Sequence, residues 1–295
     1  MIYELGQANR LGNRNTNQDR FQAIETDEGV LLVLGDGMGG QARGEVAAQI
    51  LVDTAKEHYL NAARPVKDPK RFLDKILRTA HHAVVTYGQK QTPPISPGTT
   101  GVLCLVQSGI ATWAHVGDSR LYLFQDGLPI YRTTDHSFVE MLYQKGEISR
   151  REQDTHPKRN QVTSCLGGGL IEEPEPALGN PVTMNVEDVL LLCTDGLWGP
   201  MDDAVMGRLL CRPGNLDDII NAMAEEAEQL SYPHSDNISC LALRLLSTAG
   251  SAIDDADQKQ KQKQNIKVSS SGDPLESAIA DIEAVIREYE RELDK

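Results

Sequence analysis

Gly29-Val30-Leu31-Leu32-Val33-Leu34-Gly35 runs without interruption into Asp36-Gly37-Met38-Gly39-Gly40. The Leu/Val run leaves no polar face, so it reads as a strand covered on both sides, with its length set by the flanking glycines. Past the glycines, Val46, Ala47, Ile50, Leu51, Thr54, Ala55 and His58 recur at helical spacing. After Pro65 and Pro69 the same spacing returns in Leu73, Ile76, Leu77, Ala80, Val84 and Tyr87. A buried strand, a charged glycine turn and two consecutive amphipathic helices are therefore expected.

Downstream, Gly98 to Gly127 reads as strands punctuated by Ser-Gly, Gly-Asp and Asp-Gly, which predicts an antiparallel meander. Residues 137–180 are less regular: a helical segment from Ser137, a polar run with Arg150, Arg151, Lys158 and Arg159, and glycines at Gly167 to Gly169. They predict a mobile flap, and its basic residues are candidates for attracting a phosphopeptide. Asp188 to Cys193 returns to strand, Met201 to Leu230 is helical apart from a break at Arg212 to Asn215, and Ile238 to Leu246 is a closing strand. Helix pairs alternating with strand blocks imply a layered α/β or α+β architecture.

The 295-residue chain has 43 Asp plus Glu against 29 Lys plus Arg, a net charge of −14, which argues against a nucleic-acid partner. No apolar run is long enough for a membrane span, and the first residues lack the pattern of a secretory signal, so a cytoplasmic protein is expected. Cys104, Cys165, Cys193, Cys211 and Cys240 are scattered and form no C-x-x-C pair. They read as small core residues in a reducing compartment.

From Ser247 the sequence becomes polar and repetitive, so a globular domain is expected over residues 1–246 and a disordered linker over 247–272. Asp273, Pro274 and Glu276 form a good helix start. Leu275, Ile279, Ile282, Ile286, Tyr289 and Leu293 then lie four and three apart, a coiled-coil seam over residues 273–295 that predicts self-association or docking of a partner.

Asp19, Asp36, Asp195 and Asp236 each stand in a turn beside a strand or a glycine, and Asp118 lies in a similar Gly-Asp turn. An aspartate beside glycine is by itself only a turn former. Several converging at a sheet edge would repel one another without cations, and oxygen-only ligands suit Mg²⁺ or Mn²⁺ rather than zinc.

The strings R-x-x-x-Q-D (Arg14 to Asp19), D-G-M-G-G, G-T-T, V-G-D-S-R, D-H-S, T-D-G-L and D-N-I-S occur in that order. As an ordered set over about residues 1–246 they resemble the metal-dependent protein phosphatases, the type 2C Ser/Thr phosphatases, in their compact bacterial form. The resemblance implies an α+β fold, a four-layer α-β-β-α sandwich with two central antiparallel sheets. It implies hydrolysis of phosphoserine and phosphothreonine in proteins by a water bridged between two Mn²⁺ or Mg²⁺ ions, opposing a Ser/Thr kinase. Carried over by motif, Asp36 bridges both metals, the Gly37 carbonyl binds one, and Asp195 and Asp236 bind the other. Asp19 sits at the metal waters, Asp118 with Asp195 holds a third ion, and Arg14 holds the phosphate. Two cations about 3.5–4 Å apart would activate water and stabilise the phosphoryl oxygens without a protein nucleophile.

Two positions depart from the wider family. Gln18 stands where many relatives have Glu and adds no charge, which predicts weaker binding of the second metal. Met38 stands where animal members have a His, so the leaving-group acid is expected to be a metal-bound water.

Gly35 to Gly40 also fits G-x-G-x-x-G, but a dinucleotide fold requires a strand after the first helix, where a second helix is predicted instead. The cysteine phosphatase, serine hydrolase and Walker A patterns are missing. Asp135-His136 reads as turn-stabilising rather than as a catalytic dyad. A non-catalytic phosphatase-like scaffold that binds phosphoproteins is the alternative from another class.

Overall fold

The computed structural model of the chain describes residues 1–38, 43–169 and 173–248. Strands β1 (Ile2–Arg10), β2 (Arg20–Thr26), β3 (Gly29–Gly35) and β4 (Gly37–Met38) precede helices α1 (Gly44–Asn61) and α2 (Pro69–Gln89). Then come β5 (Gly98–Thr99), β6 (Gly101–Gln107), β7 (Ile110–Val116), β8 (Arg120–Gln125) and β9 (Leu128–Arg132). The segment expected as a flap holds α3 (Phe138–Gln144), α4 (Arg150–Gln153), β10 (Leu166–Gly167) and β11 (Ala177–Leu178), with β12 (Val182–Thr183) just beyond. The described chain closes with β13 (Val189–Cys193), α5 (Asp195–Trp198), α6 (Asp203–Leu210), α7 (Leu216–Ser231) and β14 (Ile238–Ser247).

One antiparallel sheet has the order β1-β14-β13-β8-β9, and the other has β11-β7-β6-β3-β2 with β12 beside β7. A small third sheet, β10-β5-β4, has no counterpart in the sequence reading. Every residue of β3 is buried, and its two faces enter different cores. Val30, Leu32 and Leu34 pack between the two large sheets with Leu121, Leu190 and Leu241. Leu31 and Val33 pack against Leu51 and Ala55 of α1 and Leu73 and Leu77 of α2. The other large sheet buries its outer face against Met206, Leu210, Ile220 and Met223 of α6 and α7. The layers are thus helix, sheet, sheet, helix. The two consecutive helices after β3 also dispose of the dinucleotide-binding reading.

Helix starts follow from local chemistry. The Asp68 carboxylate accepts from Arg71 N at 3.1 Å with Pro69 next, and the Asn215 side chain accepts from Asp217 N and Asp218 N.

The expected meander is corrected in one respect: it is two hairpins in different sheets. Ser108-Gly109 joins β6 to β7 and Asp126-Gly127 joins β8 to β9, with φ of 51° and 78°, and 49° and 73°. Positive φ at both central residues suits a tight hairpin. Gly117-Asp118-Ser119 instead carries the chain from β7 in one sheet to β8 in the other, with Gly117 at φ 101°. A Cβ at Gly117 would lie 2.7 Å from Thr100, so the crossing requires glycine.

Two smaller corrections concern Cys211 and the end of the last strand. Cys104, Cys193 and Cys240 are buried as expected and Cys165 is half-buried, but Cys211, at the C-cap of α6, is exposed. Strand β14 runs to Ser247, one residue into the expected linker, and the first compact unit spans Met1–Thr248. The linker beyond Thr248 and the helix expected at 273–295 lie outside the described residues.

Candidate metal centre

Five aspartates come together where strand ends meet at one edge of the sandwich. Asp36 follows β3 directly, and both of its backbone groups are held by the Gly98-Thr99-Thr100 segment. Asp36 N donates to Thr100 Oγ1 at 2.9 Å, while Thr100 N and Thr99 Oγ1 donate to Asp36 O at 2.9 and 3.0 Å. Gly37 packs against α1: a Cβ there would lie 2.4 Å from the Gly44 carbonyl and 2.5 Å from Gln18 O.

Asp19 is fully buried, with Oδ2 accepting from Thr194 Oγ1 at 3.0 Å. Thr194 Oγ1 in turn accepts from Ser239 N at 3.0 Å, so one hydroxyl ties the loops of Asp19, Asp195 and Asp236 together. Asp195 opens α5. Asp236 lies just before β14, and its neighbour Asn237 laces it to the β1–β2 connection by accepting from Gln18 N at 2.9 Å and donating to Leu11 O at 2.9 Å. Asp118, on the crossing between the sheets, is 6% exposed.

The electrostatics are those of a crowded anionic cleft. Burial raises Asp36 well above its ordinary value, and the charges of Asp19, Asp195, Asp118 and Asp236 raise it further. Asp195 is likewise held high, first by burial and then by Asp118, Asp236 and Asp19. Burial lifts Asp19 to about 6 against the opposing influence of the nearby Ser239 and Thr194 hydroxyls, and lifts Asp118 to about 7, helped by Asp135. Asp19 Oδ1 and Asp195 Oδ1 are buried without a hydrogen-bond partner. Two buried carboxyl oxygens without a donor among like charges call for a proton or a cation, and carboxylate and carbonyl oxygens fit Mg²⁺ or Mn²⁺. Among the described residues no three His, Cys, Asp or Glu side chains are already closed around one point. Carbonyl oxygens and waters would therefore share the coordination.

Arg14 stands at the mouth, more than half exposed, with Nη2 donating to Asp236 Oδ2 at 2.6 Å and Asp195 and Asp36 within electrostatic reach. All seven residues singled out in the sequence are therefore in one neighbourhood. Gln18 Nε2 makes a long 3.5 Å contact with Glu45 Oε2, which brings in a carboxylate that the sequence reading missed. It sits on the first turn of α1, and no short motif marks it. Met38 belongs to β4 and supplies no acid.

Asp135 and His136 form no dyad. Asp135 is engaged by Arg120, and His136 brackets Gly117, whose N–H it accepts at Nδ1 (3.3 Å) and whose carbonyl takes the His136 N–H (3.0 Å). Burial and the neighbouring His115 push His136 down to about 4, so it is neutral near pH 7. Beside it a cavity of about 430 Å³ opens between Asp135, Glu140, Gln144, Thr163 and Glu175. Most of the flap's cationic groups are engaged internally: Arg150 lies over Tyr143, Lys158 over Phe138, and Arg159 donates to Asp154 O.

The family described as Protein phosphatase 2C matches residues 7–229. The serine/threonine phosphatase Stp of Listeria innocua is 30% identical over 231 residues, covering 77% of this chain and 90% of that protein. The crystal structure of the serine/threonine phosphatase Stp1 of Staphylococcus aureus superposes with a TM-score of 0.76 at 29% identity, over 84% of this chain and 96% of that one. The catalytic domain of the serine/threonine phosphatase PstP in complex with 2 manganese ions gives a TM-score of 0.69 at 27% identity, covering 83% of this chain and 99% of that one.

Proposed function

The chain belongs to the protein phosphatase 2C family and is a metal-dependent protein serine/threonine phosphatase, and we propose that the aspartate cleft with Arg14 at its mouth carries that activity. The observation that carries the assignment is the pair of buried, unpartnered oxygens, Asp19 Oδ1 and Asp195 Oδ1, in a cleft where burial and mutual repulsion hold the carboxyl groups above their ordinary values.

Asp36, the Gly37 carbonyl, Asp195 and Asp236 would hold two Mn²⁺ or Mg²⁺ ions, with Asp118 and Asp195 holding a third. When bound, the ions supply an activated water and neutralise charge on the phosphoryl oxygens. Arg14 binds the phosphoryl dianion through its planar fork once Asp236 is committed to a cation. Asp19, anchored by Thr194 at Oδ2, offers Oδ1 to orient a water molecule in the cleft and to hold its proton. Thr99 and Thr100 fix the Asp36 backbone, so its carboxylate needs no rearrangement as charge develops.

The substrates are phosphorylated proteins, and a Ser/Thr kinase would supply them. Among the described residues no helix is long and apolar enough to cross a membrane, and the reading is of a cytoplasmic enzyme. The apolar spacing from Leu275 to Leu293 supports a segment that would self-associate or dock a partner.

The deciding experiment is hydrolysis of a phosphothreonine peptide with Mn²⁺, Mg²⁺ or EDTA, comparing wild type with Asp36→Asn and Asp195→Asn. Metal-dependent turnover lost in both variants is the expected result. Wild-type levels of turnover in both variants would dismiss the assigned cleft.

A further inference from the structure

A network beside the metal aspartates is not used by the chemistry above. Arg120, two residues after Asp118, is a buried guanidinium each of whose three nitrogens donates a hydrogen bond. Its Nε and Nη2 donate to Asp135 Oδ1 and Oδ2 at 2.9 and 2.7 Å, and Nη1 donates to the Tyr122 hydroxyl at 2.9 Å. Its flat face lies 3.5 Å from the ring centre of Trp198, three residues after Asp195. Trp198 contributes its face alone, because its buried Nε1 has no hydrogen-bond partner. Tyr122 passes the contact on to Asp203 Oδ1 at 2.9 Å, at the start of α6.

Asp135 precedes His136, whose Nδ1 and N–H hold the backbone of Gly117 on the other side of Asp118. The Asp118 crossing is therefore gripped at both shoulders, and the same arginine is stacked on the short helix that begins with Asp195. A buried ion pair contributes little to stability compared with apolar groups of the same shape, which leaves geometry as its use here.

We infer that Arg120 is a positioning residue: sandwiched between Asp135 and Trp198, it locks the Asp118 crossing to the Asp195 helix so that the two carboxylates can share one divalent cation. The inference rests on the reading of Asp118 and Asp195 as ligands. The flat guanidinium is essential to it, because a lysine is a point charge that cannot fork onto Asp135 while lying flat against the indole. The site at Asp118 is coupled in this way to Asp135 and His136, which lie just before the flap.

The test is calorimetric titration of the full chain with Mn²⁺ alone, read beside steady-state kinetics on a phosphothreonine peptide and circular dichroism. In Arg120→Lys and Trp198→Leu the weakest Mn²⁺ step should fall at least about tenfold in affinity while KM for the peptide stays within about twofold. Trp198→Phe, which keeps a ring under the guanidinium, should retain the wild-type isotherm. Wild-type isotherms in folded Arg120→Lys and Trp198→Leu would overturn the inference, as would a Trp198→Phe variant as impaired as Trp198→Leu. If Arg120→Lys does not fold, Asp135→Asn decides, since it keeps the shape and removes the charge: an unchanged isotherm overturns the inference and a weakened last step upholds it. Wild type that takes up no Mn²⁺ sensitive to Asp118→Asn would remove the ligand reading itself, and the positioning role with it.

Discussion

Arg14 Nη2 donates to Asp236 Oδ2 at 2.6 Å, so the residue proposed to receive a phosphoryl group rests on a carboxylate proposed to hold a metal. The two residues lie 222 positions apart in the sequence and are brought together because β1 and β14 pair along their whole length, ending at Arg10↔Ile238. On the proposed reading a cation would take Asp236 and a substrate dianion Arg14, so metal binding would free the guanidinium for the substrate.

Arg14 is therefore expected to matter for catalysis and little for folding. Its ion pair with Asp236 is substantially exposed, and such pairs contribute about 0–1 kcal/mol. Charge-assisted hydrogen bonds to a phosphoryl group are worth about 1.5–3 kcal/mol. Arg14→Ala should lower kcat/KM roughly ten- to hundredfold with the melting temperature nearly unchanged, and Arg14→Lys should fall between. Steady-state kinetics with a melting curve on each variant checks this, and an unchanged kcat/KM in Arg14→Ala rules out the phosphate role.

Removing one buried charge should separate stability from activity. Asp195 is held high by burial and by Asp118, Asp236 and Asp19, so Asp195→Asn relieves repulsion in the metal-free chain. Each pKa unit of such strain corresponds to about 1.4 kcal/mol. In EDTA at pH 7.5 the variant should melt several degrees above wild type, while its Mn²⁺-dependent turnover falls by at least about a hundredfold. A variant that melts lower than wild type in EDTA would contradict the account of the cleft as a strained anionic site.

The pH dependence follows from the same carboxyl groups. Asp19 at about 6 and Asp118 at about 7 stand above the ordinary 3.8, so the metal-free folded state binds their protons more tightly than the unfolded state does. That contribution to stability is complete below about pH 3.8 and is lost as pH rises through about 6 to 7. In EDTA these two groups should therefore make the chain less stable at pH 8 than at pH 5.5. Mn²⁺ must displace the protons, so its affinity should fall by up to about tenfold per pH unit for each proton released as pH drops below 7. Calorimetry at pH 6.5 in two buffers of different ionisation enthalpy counts those protons, and a buffer-independent heat would refute this.

How much of this was legible in the sequence depends on where each residue's partners lie. The run Val30 to Leu34 encodes burial on both faces in consecutive letters, which is enough to imply a layered fold; the number of layers is what the family resemblance implies. Asp36, Asp195 and Asp236 are legible because strand-end aspartates sit in short strings with fixed neighbours. Strand β1 carries no strand pattern in its letters: Glu4, Gln7, Asn9 and Arg10 break the apolar alternation, yet Glu4 accepts from Leu216 N and Gln7 N donates to Asp217. Those partners are remote in the chain. The crossing at Gly117 is hidden within the expected meander because Gly-Asp and Asp-Gly look alike as letters, although the two hairpins carry positive φ at both turn residues and the crossing only at Gly117. The grip on Arg120 is likewise invisible, since Asp135 and Trp198 reach it from different elements.

Gly37 provides the sharpest test of how packing serves the cleft. The first residue after Asp36 lies against the start of α1 so closely that a Cβ would sit 2.4 Å from Gly44 C and O and 2.5 Å from Gln18 O, all backbone atoms. Backbone cannot rotate aside as a side chain can, so Gly37→Ala must push α1 away or shift the Asp36 turn. Gly44 meets Gly37 from the other side, with a Cβ there 2.5 Å from Gly37 C, so Gly44→Ala should act alike. Overpacking of this kind costs about 1–3 kcal/mol, or roughly 2–10 °C in melting temperature for a domain of this size. The damage should also fall on the metals, because the Gly37 carbonyl is an assigned ligand: the Mn²⁺ concentration for half-maximal activity should rise at least about tenfold in either variant. Differential scanning calorimetry and Mn²⁺ titrations measure the two effects separately. A variant that loses stability but keeps the wild-type Mn²⁺ requirement would show that Gly37 serves only packing and would take its carbonyl out of the ligand set.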